Sequence, residues 1–116
     1  MINLLFPWEY ADSVFSIDYG KLYENGIRGL IFDIDNPLVH HGDDSTAEID
    51  RLFSEIHKTG LKTILLTNND EERVLRFIRN IDTPYVCDAE KPKISGYLKG
   101  MELLGTDKKN TVFLGD

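Results

Sequence analysis

The chain has 116 residues, of which 41% are apolar and 28% charged, a composition that suits one globular domain and leaves no room for a second. A net charge of −7 argues against a nucleic-acid partner, because affinity for a phosphate backbone is carried by Lys and Arg. No stretch approaches ~18 consecutive apolar residues, so no transmembrane helix is expected, and a lone cysteine, Cys87, forbids an internal disulfide and fits a cytoplasmic, reducing compartment.

Residues 1–27 read as a helical preface. Its first part holds Glu9 and Asp12 but no basic residue before Lys21, so it is not a signal peptide. Its apolar side chains, among them Leu5, Phe6, Trp8, Val14 and Phe15, are expected to cover the edge of a sheet. A peripheral contact with the inner face of a membrane is the second reading.

Leu30 to Ile34 is a short apolar run that predicts a buried strand. Ser45 and Glu48 form a capping box, and Ile49, Leu52, Phe53 and Ile56 line one face of a predicted helix that Gly60 ends. Leu61 to Thr67 predicts a second strand. Asp70, Glu71 and Glu72 suit the positive end of a helix whose face is Val74, Phe77, Ile78 and Ile81. A short strand follows at Tyr85 to Cys87, where Cys87 is expected to be a small buried apolar residue. Ile94, Tyr97, Leu98 and Met101 mark a third helix that stops near Gly105, and Thr111 to Leu114 predicts a fourth strand. Strands separated by full helices pair in parallel through right-handed crossovers. The expected fold is therefore a three-layer α/β/α sandwich on a parallel, Rossmann-like sheet, one domain over residues 1–116.

In such sheets ligands bind outside the carboxyl ends of the strands. Those ends carry Asp33-Ile34-Asp35, Thr67-Asn68-Asn69, Asp88 with Lys91-Pro92, and Gly115-Asp116. Taken singly these residues are ordinary: Asp-x-Asp is common, a threonine ends many strands, and a loop lysine is usually solvated. Together they suit phosphoryl chemistry. Clustered carboxylates need a cation, and Mg²⁺ accepts one or two of them beside phosphate oxygens and water. A carboxylate can attack phosphorus, a second can move protons, and a hydroxyl with an ammonium can hold the phosphoryl oxygens. His40, His41 and His57 are read as ordinary surface residues, since the first two are adjacent and diverge in an extended segment.

These stretches resemble the four motifs of the haloacid dehalogenase (HAD) superfamily of phosphatases. Asp33 to Val39 is similar to motif I, Leu65 to Asn69 to motif II, Lys91-Pro92 to motif III, and Val112 to Asp116 to the start of motif IV. The preface, with Pro7-Trp8-Glu9-Tyr10, Ile17 to Leu22 and Gly26 to Gly29, resembles subfamily IIIA, the bacterial relatives of mitochondrial phosphatidylglycerophosphate phosphatase. The resemblance implies a Mg²⁺-dependent phosphomonoesterase with Asp33 as nucleophile and metal ligand. It makes Asp35 the general acid/base, with its carbonyl on the metal. Thr67, Asn68 and Lys91 would bind the phosphoryl group, and Asp116 would be a further metal ligand. A phospholipid head group is an implied substrate, because the spans between motifs are too short for a cap domain and the site would be open.

Two departures stand out. Pro37 replaces the usual Thr of motif I and brings neither a hydroxyl nor a backbone N–H, which predicts a reshaped loop and lowered activity. Motif IV normally continues to another acid, so the sequence reads as a fragment whose C-terminal part, a fifth strand and a closing helix, is missing. The competing readings are a catalytically impaired HAD-like binding module and, against the order of the motifs, a phospho-acceptor receiver domain.

Overall fold

The computed structural model describes residues 2–3, 10–11, 13–33, 44–68, 70–87 and 93–115. Strands β1 (Ile2–Asn3) and β2 (Tyr10–Ala11) pair antiparallel. Among the described residues the preface is thus partly strand, and it is helical at a 3₁₀ turn over Val14–Ser16 and in helix α1, Tyr19–Glu24. Ser13 caps the turn and Asp18 caps α1. The Tyr19 hydroxyl donates to the Val14 carbonyl at 2.6 Å, and burial raises its pKa well above the usual phenol range.

The core follows the expected order: β3 (Gly29–Asp33), α2 (Ala47–Lys58), β4 (Lys62–Leu66), α3 (Glu71–Phe77), β5 (Tyr85–Val86), α4 (Lys93–Leu104) and β6 (Thr111–Leu114). All four core strands run parallel in the order β5-β4-β3-β6. The chain winds outward from β3 through β4 to β5, then returns to place β6 on the other side of β3. That reversal makes the carboxyl end of β3 the switch point, where a crevice opens in sheets of this kind.

Alternation along the strands divides the core. Leu30, Phe32, Leu65, Val112 and Leu114 pack on α1, α2 and α3 through Leu22, Ile49, Phe53, Ile56, Val74 and Phe77. Ile31, Ile64, Leu66 and Phe113 face the other way, onto Leu104, Tyr97 and Met101 of α4. This is the three-layer α/β/α arrangement, with one helix serving the second face.

Local chemistry moves several boundaries. Thr46, not Ser45, caps α2 by accepting from the Ile49 N–H at 3.2 Å, while the Ser45 hydroxyl donates to Asp50. Asp70 caps α3, which ends at Phe77, so Ile81 is buried from the segment beyond the helix. Gly60 and Gly105 follow α2 and α4 at φ of 100° and 71°, the left-handed conformation that ends a helix at little cost for glycine. Leu98 faces solvent at 53% exposure, and Gly100 takes the sheet-facing place on α4. A Cβ at Gly100 would lie 3.2 Å from Ile31 Cδ1 and 3.6 Å from Ile64 Cγ2, so the missing side chain lets the helix settle on the strands.

Candidate functional site

The site is built by register. Asp33, the last residue of β3, pairs with Leu66, the last of β4, so Thr67 lies one step beyond Asp33 at the same edge. Thr67 is buried, and its backbone N–H donates to the Val86 carbonyl of β5 at 3.0 Å. Asn68 follows and is exposed. On the other flank Phe32 pairs with Leu114, which sets Gly115 beside Asp33. A Cβ on Gly115 would be 3.3 Å from the Asp33 Cβ. The structure therefore brings Asp33, Thr67 and the start of motif IV together at one edge, as the sequence reading expects. Asp33 is half-buried there. Asp35, Lys91 and Asp116 lie outside the described residues, as do Asp88, Pro37, His40 and His41.

Of the three expected Mg²⁺ ligands, Asp33 is within the described residues, and among those residues no three His, Cys, Asp or Glu side chains cluster. The Asp33 carboxylate supplies hard oxygen donors of the kind Mg²⁺ takes. The close approach of Gly115 brings a second strand end to it, and the next residue in sequence is the acid Asp116.

Two residues that the strand-end reading did not select belong to the surroundings. Tyr97 of α4 packs its ring on Phe113 with centroids 4.5 Å apart. Partial burial, reinforced by the Asp33 charge, raises the pKa of its phenol, so the hydroxyl stays protonated. Arg73, in the first turn of α3, is 7% exposed, and its guanidinium lies 5.6 Å from the centre of the Phe77 ring. It shares the buried face with Val74 and Phe77. No spacing rule marks it, because apolar periodicity ignores a charged residue buried together with its guanidinium.

At the opposite, amino-terminal edge of the sheet, His57 is half-buried and hydrogen-bonded rather than an ordinary surface side chain. Its Nε2 is 2.8 Å from the Thr63 Oγ1, which is 2.8 Å from the Thr83 Oγ1, and the Thr83 hydroxyl reaches the Thr63 carbonyl at 3.1 Å. The ring lines a groove of about 420 Å³ with Asp50, Lys58, Asn80 and Asp82. Burial lowers the imidazole pKa, and Asp82 partly opposes that. Cys87 packs half-buried against the larger core cluster, close to the expected small apolar role.

A parallel sheet whose reversal point carries a carboxylate, a buried threonine and the closely apposed Gly115 is a Rossmann-like α/β fold, in which ligands bind at the carboxyl edge. The chain belongs to the haloacid dehalogenase-like hydrolases, whose family model matches residues 39–116. It is also 30% identical over 111 residues to the probable phosphatase YqeG of Bacillus subtilis (strain 168), an alignment covering 95% of this chain and 64% of that protein. The chain thus spans less than two-thirds of the length of that curated relative. No solved structure matches it. Among the described residues no helix is long and apolar enough to cross a membrane.

Proposed function

We propose that the protein is a Mg²⁺-dependent phosphomonoesterase of HAD subfamily IIIA. The observation that carries this reading is the convergence of Asp33, Thr67 and Gly115 at the switch point of a chain in this hydrolase family. The similarity to a protein described as a probable phosphatase supports the same class of reaction.

In this reading an Asp33 carboxylate oxygen attacks the phosphorus of the substrate, and the bond to the ester oxygen breaks. Asp35 gives its proton to the departing alcohol and becomes a base. It then takes a proton from water, whose oxygen attacks the aspartyl-phosphate, releasing inorganic phosphate and restoring Asp33. The hydroxyl of Thr67, the amide of Asn68 and the ammonium of Lys91 hold the phosphoryl oxygens as charge moves onto them. Asp33, Asp35 and Asp116 would hold Mg²⁺, which when bound would supply neutralisation of the phosphoryl charge. An uncapped edge suits a large or surface-bound substrate, and a phospholipid head group such as phosphatidylglycerophosphate fits that description. The reading puts its action in the cytoplasm or at the inner membrane face, and the net charge of −7 argues against a nucleic-acid partner.

Hydrolysis of p-nitrophenyl phosphate and of phosphatidylglycerophosphate in mixed micelles tests the reading. Turnover should require Mg²⁺, stop with EDTA and vanish in Asp33→Asn. Turnover that survives either EDTA or that substitution would overturn it. Pro37, in place of the motif I threonine, favours a second reading as a phosphate-binding module of low activity. Phosphate binding without turnover would select it.

A further inference from the structure

The pairing of β5 with β4 lacks one backbone rung, and a side chain supplies it. In a parallel ladder a residue donates to the carbonyl one place before its partner and accepts from the N–H one place after it. Leu65 pairs with Tyr85, and its N–H donates to the Pro84 carbonyl at 3.1 Å. Two residues on, the Thr67 N–H donates to the Val86 carbonyl at 3.0 Å. The same register two residues back sets Thr63 opposite Thr83, so the Thr63 carbonyl should accept from the N–H of residue 84. That residue is proline and has none. The Thr83 hydroxyl takes its place: it donates to the Thr63 carbonyl at 3.1 Å, from a side chain that is buried.

This donation orders the protons of the neighbouring hydroxyls. With its own proton on the carbonyl, Thr83 Oγ1 accepts from the Thr63 hydroxyl at 2.8 Å. Thr63 Oγ1 then accepts from the His57 Nε2–H at 2.8 Å. The buried Thr63 is thus held at both its carbonyl and its hydroxyl, and the relay reaches back to α2. Meanwhile β5 is two residues long and lies at the edge of the sheet, so each bond to β4 carries a large share of its placement.

We propose that Thr83 is a positioning residue for Thr67: its hydroxyl stands in for the N–H that Pro84 lacks, and so holds the strand whose Val86 carbonyl fixes the Thr67 amide at the carboxyl edge. The proposal rests on the assignment of Thr67 as a phosphoryl-binding group. The bonds to Thr63, Leu65 and Thr67 form one ladder with Thr83 at its foot and the site at its head. Because the Thr67 amide is committed to β5, a shift of β5 moves the Thr67 backbone, and its hydroxyl with it. A group that must meet developing charge tolerates little such displacement.

Thr83→Val removes the hydroxyl and keeps the shape, Thr83→Ser keeps the hydroxyl, and Pro84→Ala returns an N–H to the ladder. With p-nitrophenyl phosphate and Mg²⁺, Thr83→Val should lower kcat about three- to tenfold, the effect of losing one buried hydrogen bond, and should speed amide exchange at Thr67. Thr83→Ser should stay near the wild type. Thr83→Val combined with Pro84→Ala should recover both readouts, because the backbone then makes the bond itself. If Thr83→Val does not fold alone, recovery in the combined variant carries the test. In a Thr67→Ala background, Thr83→Val should bring no further loss of kcat. An unchanged kcat in Thr83→Val, where Thr67→Ala lowers it, overturns this proposal and leaves Thr67 in its role. A loss that persists in the Thr67→Ala background, or that Pro84→Ala does not recover, also overturns it, since the hydroxyl then acts on the fold at large. Full turnover in Thr67→Ala overturns the assignment of Thr67 and the proposal together.

Discussion

Gly115 and Asp33 meet across the seam between β6 and β3: a side chain on residue 115 would begin 3.3 Å from the Asp33 Cβ and 2.5 Å from the Phe113 Cζ. The second distance is shorter than real Cβ contacts tolerate, so a methyl group there must move the ring or the strand. Gly115→Ala is expected to cost about 1–3 kcal/mol, the usual range for overpacking a filled site. Pairing it with Phe113→Leu should recover part of that loss, since the ring is what the methyl strikes. Urea unfolding of the two single variants and the double variant measures the coupling, and additive losses would show that the strand and not the ring takes up the strain.

His57 ties α2 to the start of β4 through Thr63 and Thr83, and burial holds its imidazole below the ordinary value of 6.5. The unfolded chain therefore binds this proton more readily than the folded one, and stability rises with pH where the two differ. The contribution is complete above the ordinary imidazole range. It is lost progressively as pH falls from about 6.5 toward the lower folded value. His57→Gln should flatten this part of the stability-versus-pH curve, and Asp82→Asn should steepen it, because Asp82 favours the charged ring. Chemical denaturation between pH 5 and 8 would show both effects. A slope in that window unchanged by His57→Gln would mean that another group carries it.

The elements were most legible where one local signal dominates. Thr111 to Leu114 is a strand with the expected bounds because a short apolar, β-branched run between polar turns has few alternatives. Ile49, Phe53 and Ile56 are buried on α2 as their spacing demands. The strand ends could be read as a site because parallel topology sends them all to one edge. Contacts that depend on distant elements left no such trace. Nothing in a sequence window couples Tyr97 to Phe113, His57 through Thr63 to Thr83, or Gly115 to Asp33, since each arises from the registers of β3, β4, β6 and α4. The antiparallel pairing of Ile2–Asn3 with Tyr10–Ala11 was also hidden, because two-residue strands are too short to show a period of two.

The apolar spacing on α4 was ambiguous for a definable reason. Tyr97, Leu98 and Met101 fit one stripe, yet the helix is turned so that Gly100 and Leu104 face the sheet, and counting apolar residues cannot see a glycine used for close approach. Leu104 is 5% exposed and Leu98 53%. Leu104→Ala should therefore destabilise the fold by about 2–5 kcal/mol, and Leu98→Ala should change it by less than about 0.5 kcal/mol. Urea midpoints compare the two directly, and equal losses would contradict the observed rotation of α4.

Pro37 stands four residues beyond Asp33, where motif I usually carries a threonine. Proline offers no hydroxyl and no backbone N–H, so the motif I segment has two fewer groups able to orient the acid. If Asp35 moves protons as proposed, restoring the hydroxyl and the N–H should act on the chemical step more than on binding. Pro37→Thr is therefore expected to raise kcat on p-nitrophenyl phosphate by about tenfold, within the range general acid–base catalysis supplies, with KM nearly unchanged. The same substitution in an Asp35→Asn background should give no gain, because the acid it would orient is gone. A gain that persists without Asp35 would place the effect of Pro37 on substrate binding or loop stability, and no gain in a folded, Mg²⁺-responsive protein would show that this turn works without the threonine.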